Sequence, residues 1–249
     1  MKQFKIVLAM VAGALGLSAL LVWQGARPAS GGQPTSQPDL PWQIQTQPGG
    51  GSQVFGLKLT PGGQGSSTLG EARARWGDTM QVAVIAAPGE AGTLEAYVDP
   101  VNAGFVTGKL VLTAKLDAAA IQGLRERTIK AEFMESTTRK FLLAPADLPQ
   151  ALAAPIVAMG FIPSASLDEA TVLARFGKPA QRVVANAHLT HLLYPEQGLD
   201  IALDTQGKEL LQYVAPSEFT SRLQAPLQAA ASAVAPASQA AAAASGTQP

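Results

Sequence analysis

One pattern occurs twice in this chain and limits what it can fold into. In the first half, Phe55-Gly56-Leu57-Lys58-Leu59-Thr60-Pro61 is a short apolar run with a Gly inside and a Pro at its end. It leads to Thr68-Leu69-Gly70-Glu71, which fits a capping box, and then to Ala72-Arg73-Ala74-Arg75-Trp76-Gly77. In the second half, Met159-Gly160-Phe161-Ile162-Pro163 leads to Ser166-Leu167-Asp168-Glu169, which fits the same box. The helix signal there runs from Ala170 to Arg175-Phe176-Gly177. Both copies therefore end on Arg-aromatic-Gly, and Gly77 and Gly177 suit left-handed helix caps. The two helix signals differ by two residues in length. A repeat of this kind implies two similar units, each built from the same local pieces.

Strand signals follow both helices. They cover Met80–Ala86, Thr93–Val98 and Gly104–Thr113 in the first half. In the second they cover Gln181–Ala187, His188–Tyr194, Leu199–Asp204 and Glu209–Ala215. Pro88-Gly89, Asp99-Pro100, Pro195-Glu196-Gln197-Gly198 and Gln206-Gly207 separate them as turns. Leu199, Ile201 and Leu203 alternate with Asp200, Ala202 and Asp204, as in a sheet with one covered face. Tyr97 before Asp-Pro corresponds in this reading to Tyr194 before Pro-Glu. Between the halves lie a helix expected over Asp117–Thr128, a strand candidate at Thr137–Leu143 and a helix expected over Asp147–Ala158. The expected class is α+β: two tandem repeats of short helices packed on a three- to four-stranded antiparallel sheet, with an N-terminal transmembrane helix.

The ends differ from this middle. Met1–Arg27 carries Lys2 and Lys5 and then the uncharged run Ile6–Trp23, whose 18 residues nearly match a ~30 Å hydrocarbon core. A cleaved signal peptide is the rival reading. Cutting after Ala26 or Ala29 places Gln24 or Arg27 at the −3 position, and both are poor there. The flanking lysines put the N-terminus in the cytoplasm and the rest beyond the bacterial inner membrane, in the periplasm. Residues 28–51 read as a Pro/Gly/Gln/Ser linker in which Trp42 is the exception, able to dock on the domain or on a partner. Residues 52–130 and 131–221 are the two units, and 222–249 is an Ala-rich tail read as disordered or transiently helical. Apolar residues make up 47% of the chain, a figure raised by that span and that tail.

The stretch Met159–Pro216 resembles the module of the SmpA/OmlA (BamE-like) outer-membrane assembly lipoproteins. The likeness lies in the Gly-x-x-Pro lead, the capped helix, the Phe176-Gly177-Lys178-Pro179 exit and the Tyr194-Pro195 strand end. Phe55–Thr113 carries it more faintly. A tandem of such modules is also the architecture of the beta-lactamase inhibitory protein fold. The resemblance implies protein contact without catalysis. This chain departs from the lipoprotein pattern because it has no Cys to acylate.

Composition excludes several chemistries. Without cysteine there is no disulfide, thiol nucleophile, iron–sulfur cluster or Cys-type zinc site. Lys plus Arg and Asp plus Glu are both 18, so the basic excess that drives nucleic-acid binding is missing. His188-x-x-His191 falls on an expected strand, where the two rings point to opposite faces, so no metal is expected. Gly62-Gly63-Gln64-Gly65-Ser66-Ser67-Thr68 lacks the Lys-Ser/Thr ending of a phosphate loop. Glu95, Asp99, Asp200 and Asp204 read as strand and turn residues. Arg125, Arg127, Lys130, Arg139 and Lys140 read as a solvated face compensated by Glu126, Glu132 and Glu135. No catalytic residue and no cofactor is expected. Trp76, Tyr97, Phe176 and Tyr194 are the candidate partner-binding residues. The expected function is a membrane-anchored envelope scaffold whose protein partners the residues do not name. A periplasmic small-molecule or glycan-binding protein, or a hydrolase on the same scaffold, is the alternative.

Overall fold

A computed structural model describes residues 39–134 and 137–230. The expected anchor Met1–Arg27, residues 28–38 of the expected linker and the tail beyond residue 230 lie outside the described residues, as does Glu135. Among the described residues no helix is long and apolar enough to cross a membrane.

The chain opens with a small antiparallel sheet of β1 (Gln45–Gln47), β2 (Gly51–Val54) and β3 (Leu57–Leu59). Helix α1 (Leu69–Trp76) follows, with Thr68 as a complete capping box: its hydroxyl accepts from the Glu71 N–H, and the Glu71 carboxylate accepts from the Thr68 N–H at 2.9 Å. A meander of β4 (Gln81–Ala86), β5 (Thr93–Ala103) and β6 (Val106–Ala114) comes next. Helix α2 (Ala118–Glu126) is capped by Asp117, whose carboxylate accepts from the Ala120 N–H at 2.7 Å. The hairpin of β7 (Lys130–Phe133) and β8 (Arg139–Leu142) and the short α3 (Leu148–Leu152) complete the first half.

The second half starts with β9 (Ile156–Pro163) and α4 (Glu169–Phe176). It ends in the meander of β10 (Gln181–Val184), β11 (Leu189–Tyr194), β12 (Leu199–Asp204) and β13 (Leu210–Val214). A π-helical turn, Thr220–Gln224, continues helically through 225–230.

The expected two-sheet α+β architecture is corrected here. The ten strands β4 to β13 form one antiparallel sheet in the order β10-β11-β12-β13-β9-β6-β5-β4-β8-β7, and the fold is mostly β. The cause lies at β9. One side of it pairs with β13, Leu211 opposite Phe161, and the other with β6, Leu112 opposite Met159. Two separate sheets would leave the N–H and C=O rows of β6 and β13 bare, and β9 satisfies both. Ile156, Val157, Met159, Phe161 and Ile162 are all buried, so β9 has both faces covered. A strand of that kind shows an apolar run instead of alternation, which conceals it from period-2 reading. The helix expected over Asp147–Ala158 also stops early, because Pro155 ends it and Ile156–Ala158 join the sheet.

The faces divide cleanly. One packs Leu94, Leu112, Met159, Phe161, Leu192 and Ile201 against Leu69 and Ala72 of α1, Ile121 and Leu124 of α2, Val172 of α4 and Leu57 and Leu59 of the small sheet. On the other, Phe219 and Leu223 of the C-terminal helical segment pack on Leu193 and Val214.

Candidate functional site

The two Arg-aromatic-Gly exits converge on the same short segment. Gly77 and Gly177 each leave their helix at positive φ (63° and 80°) with extended ψ (−147° and −167°), a region open essentially to glycine and distinct from the left-handed cap expected. Arg75 ion-pairs with the carboxylate of Asp39 and lies 5.6 Å from the centre of the Trp76 ring. Burial draws the Arg75 guanidinium below its usual pKa. Arg175 lies 5.0 Å from the centre of the Trp42 ring, and Trp42 meets Phe176 edge-on at 6.2 Å and 85°. The repeated exits thus clasp the two ends of Asp39–Trp42.

Further contacts fix that strap. The Tyr213 hydroxyl donates to the Pro41 carbonyl at 3.0 Å in a buried bond, and Leu40 is buried. Phe176 packs 6.2 Å from Tyr194, whose hydroxyl donates to the Gly177 carbonyl at 2.9 Å. Burial, then the charge of Glu169, pushes the Tyr194 phenol up. At the turn between β5 and β6, Phe105 is 72% exposed and leans on Trp42 at 5.8 Å. Together these residues make an aromatic surface with Arg175 at its margin.

Of the four candidate binding residues, the structure brings Phe176 and Tyr194 together here. Phe176 is half-buried, and Tyr194 is only 5% exposed. Trp76 is half-buried at the other exit. Tyr97 lies on the opposite sheet face from Tyr194, because Ala96 and Val98 take the helix-covered face. The Tyr97 hydroxyl donates to Asp99 at 2.8 Å, and burial followed by that carboxylate raises its pKa. The matched positions of the two tyrosines in the sequence therefore hide opposite orientations. In the sequence Trp42 stands out from the linker, but no local pattern joins it to Arg175. Phe105, beside a glycine in a turn, carried no signal.

Other chemistry-bearing residues are already engaged. His191 pairs with Asp200 at 2.9 Å in a buried contact, and His188 pairs with Asp204 at 2.8 Å. Burial pushes the Asp204 carboxyl up, but bonds from the Gln206 N–H and His188 outweigh it and hold the pKa down. Among the described residues no group of three or more His, Cys, Asp or Glu could hold a metal ion. In the glycine loop, the Gly62 N–H donates to the Glu218 carboxylate at 3.1 Å. In the basic stretch, Arg127 forks onto Asp147, Arg125 donates to the carbonyls of Glu90 and Ala91, and Lys140 donates to Gln81. A hollow of about 280 Å³ lies between the strap and the small sheet, lined by Asp39, Gln43, Gln53 and Phe55.

Glu95 stands apart. It faces away from the helices, directly across from Thr113, and burial raises its pKa from 4.5 to about 7 against the opposing hydrogen bond from Thr93. The Thr113 hydroxyl is buried and has no hydrogen-bond partner. Tyr97, Val111 and Ile85 share this face and are half-buried.

No family model, curated protein or solved structure matches this chain.

Proposed function

We propose that this chain is a non-catalytic binding module of the bacterial cell envelope, held at the inner membrane with its folded part in the periplasm, and that it acts through protein–protein contacts. The observation that carries this reading is the aromatic surface at the strap. Phe105 is largely exposed on Trp42, Phe176 lies beneath, and Leu173, exposed, sits one helical turn before Phe176. Large apolar side chains held rigid at a surface, with an arginine at the edge, are the usual anchors of protein interfaces. Lys2 and Lys5 ahead of the uncharged run Ile6–Trp23 support the location. The resemblance of Met159–Pro216 to envelope assembly modules supports it too.

The competing small-molecule reading would use the hollow beside the strap. Its one carboxylate, Asp39, is already paired with Arg75, so the contact reading is better supported.

A photo-crosslinking residue in place of Phe105 in the full-length chain tests the proposal in living bacteria. It should form discrete adducts with an envelope protein, and Trp42→Ala should weaken them. The same residue in place of the exposed Lys208 should not form them. Identical adducts from both positions, or none from position 105, would overturn the proposal.

A further inference from the structure

The sheet has two open edges, β10 and β7, and they differ in kind. At β7 the run Ile129-Lys130-Ala131-Glu132-Phe133 reads apolar, positive, small, negative, apolar. Ile129 is 65% and Phe133 72% exposed, two of the most exposed large apolar side chains among the described residues. Phe133 stands opposite Arg139, whose guanidinium lies 4.4 Å from the ring centre. Lys130 and Glu132 point to the other face and pair with each other at 2.8 Å.

The backbone sets which residues can bond outward. The Met134 N–H donates to the Thr138 carbonyl at 3.0 Å, with Glu132 opposite Lys140 and Lys130 opposite Leu142. In an antiparallel ladder alternate residues turn their N–H and C=O groups to opposite sides. Ala131 and Phe133 therefore present theirs to the open edge.

We propose that a second copy of this chain docks on β7, antiparallel and related by a two-fold axis through Ala131. A two-fold axis normal to the sheet maps each face onto itself, so paired residues must share a face. Centring on Ala131 makes it a hydrogen-bonded pair with Ala131 of the second copy, in step with its outward backbone groups. Lys130 then lies opposite Glu132 of the second copy, twice over, while Ile129, just before the strand, keeps its N–H on the Leu142 carbonyl and flanks the pairing. The cross-strand charges are complementary. Centring on Lys130 or Glu132 would oppose like charges and use backbone groups already turned to β8. A lysine on an edge strand usually discourages pairing, but here a glutamate placed symmetrically about Ala131 cancels that effect.

The β10 edge has no such symmetry. Arg182 sits in its middle, held by Glu169 at 3.2 Å, and self-pairing there would oppose arginines. Pairing through β7 alone closes after two copies and joins two ten-stranded sheets edge to edge, where head-to-tail pairing of β7 with β10 would build an open filament.

The test uses the full-length chain in detergent micelles. The protein has no cysteine, so Ala131→Cys introduces its one thiol. In the proposed register the two Cα atoms stand about 5.5 Å apart, within the range a disulfide spans. Oxidation with diamide should give a covalent dimer, and Val184→Cys on β10 should not. Lys130→Glu and Glu132→Lys should each weaken self-association roughly tenfold by setting like charges opposite each other. Mixing those two variants should restore association as a heterodimer, a recovery that misfolded chains would not show. The proposal is overturned if Ala131→Cys stays unlinked and monomeric by sedimentation, if it links to Val184→Cys in a mixture, or if the mixed charge variants associate no better than either alone.

Discussion

Phe55 occupies the positive-φ region (55°), and Gly56 follows at 71°, so both central residues of the tight turn between β2 and β3 are left-handed. Such a turn matches the twist of a hairpin but is strained for any side chain other than Gly, Asn or Asp. The ring explains why Phe remains: it is buried 5.3 Å from Phe161 and 5.5 Å from Tyr213. Phe55→Ala should therefore lower stability by about 3–5 kcal/mol in chemical denaturation, far outweighing any change in turn strain. Tyr213→Phe leaves the buried Pro41 carbonyl without its donor and should cost about 1–3 kcal/mol. Glu95 gives the chain a pH dependence. Burial raises its pKa from 4.5 to about 7, so across that window the folded state keeps a proton that the unfolded chain releases. Its contribution is fully present below about pH 4.5 and is lost as pH rises toward about 7. Thermal melts should show Glu95→Gln gaining on wild type between pH 5 and pH 7 and keeping a constant lead above. A lead that does not change with pH would contradict the shift.

Among the elements, the repeated helices were the most legible. Both are eight residues long, Leu69–Trp76 and Glu169–Phe176, although their sequence signals differ in length. The difference disappears because the second helix is capped by Asp168, whose carboxylate accepts from the Thr171 N–H at 2.7 Å, and not by the expected Ser166. The bonds from Thr171 hold the Asp168 carboxyl below its usual pKa. Asp168→Ala should lower the urea midpoint by removing the cap, and Ser166→Ala should leave it nearly unchanged. The strands of the two meanders were legible from alternation and turn residues, except that β5 continues through the expected Asp99-Pro100 turn, as a bulge, to Ala103. Other strands were not, beginning with β1, which falls in the expected linker. β9 has no alternation because both its faces are buried, and β7 carries charges and an alanine where a half-buried strand would carry large apolar residues. Of the candidate site, the aromatic-glycine exits were legible, but their meeting at Trp42 was not. No local pattern records that Arg75 and Arg175 reach the same strap.

At the scale of the molecule, β9 makes the two halves one folding unit. Its pairing with β6 is close: a Cβ on Gly108 would lie 2.5 Å from the Ile162 carbonyl oxygen and 2.6 Å from the Phe161 ring. Leu94→Ala in the first half and Ile201→Ala in the second should each cost about 2–5 kcal/mol and lower the same single transition. Two separable transitions in calorimetry would mean that the halves unfold independently. Local features follow from the residues alone: starts of α1, α2 and α4 from side-chain caps, ends of α1 and α4 from glycines that tolerate their backbone angles, and strand faces from alternation. Those preferences act over one or two turns of chain, so they survive any arrangement of the halves. Packing across the whole chain sets the rest: β4 to β13 form one sheet and not two, Tyr97 and Tyr194 face opposite ways, and two distant arginines clasp one strap. Each of these depends on which strand edges and side chains meet across many residues. The need to pair every buried backbone group and cover every apolar face settles such meetings for the molecule as a whole.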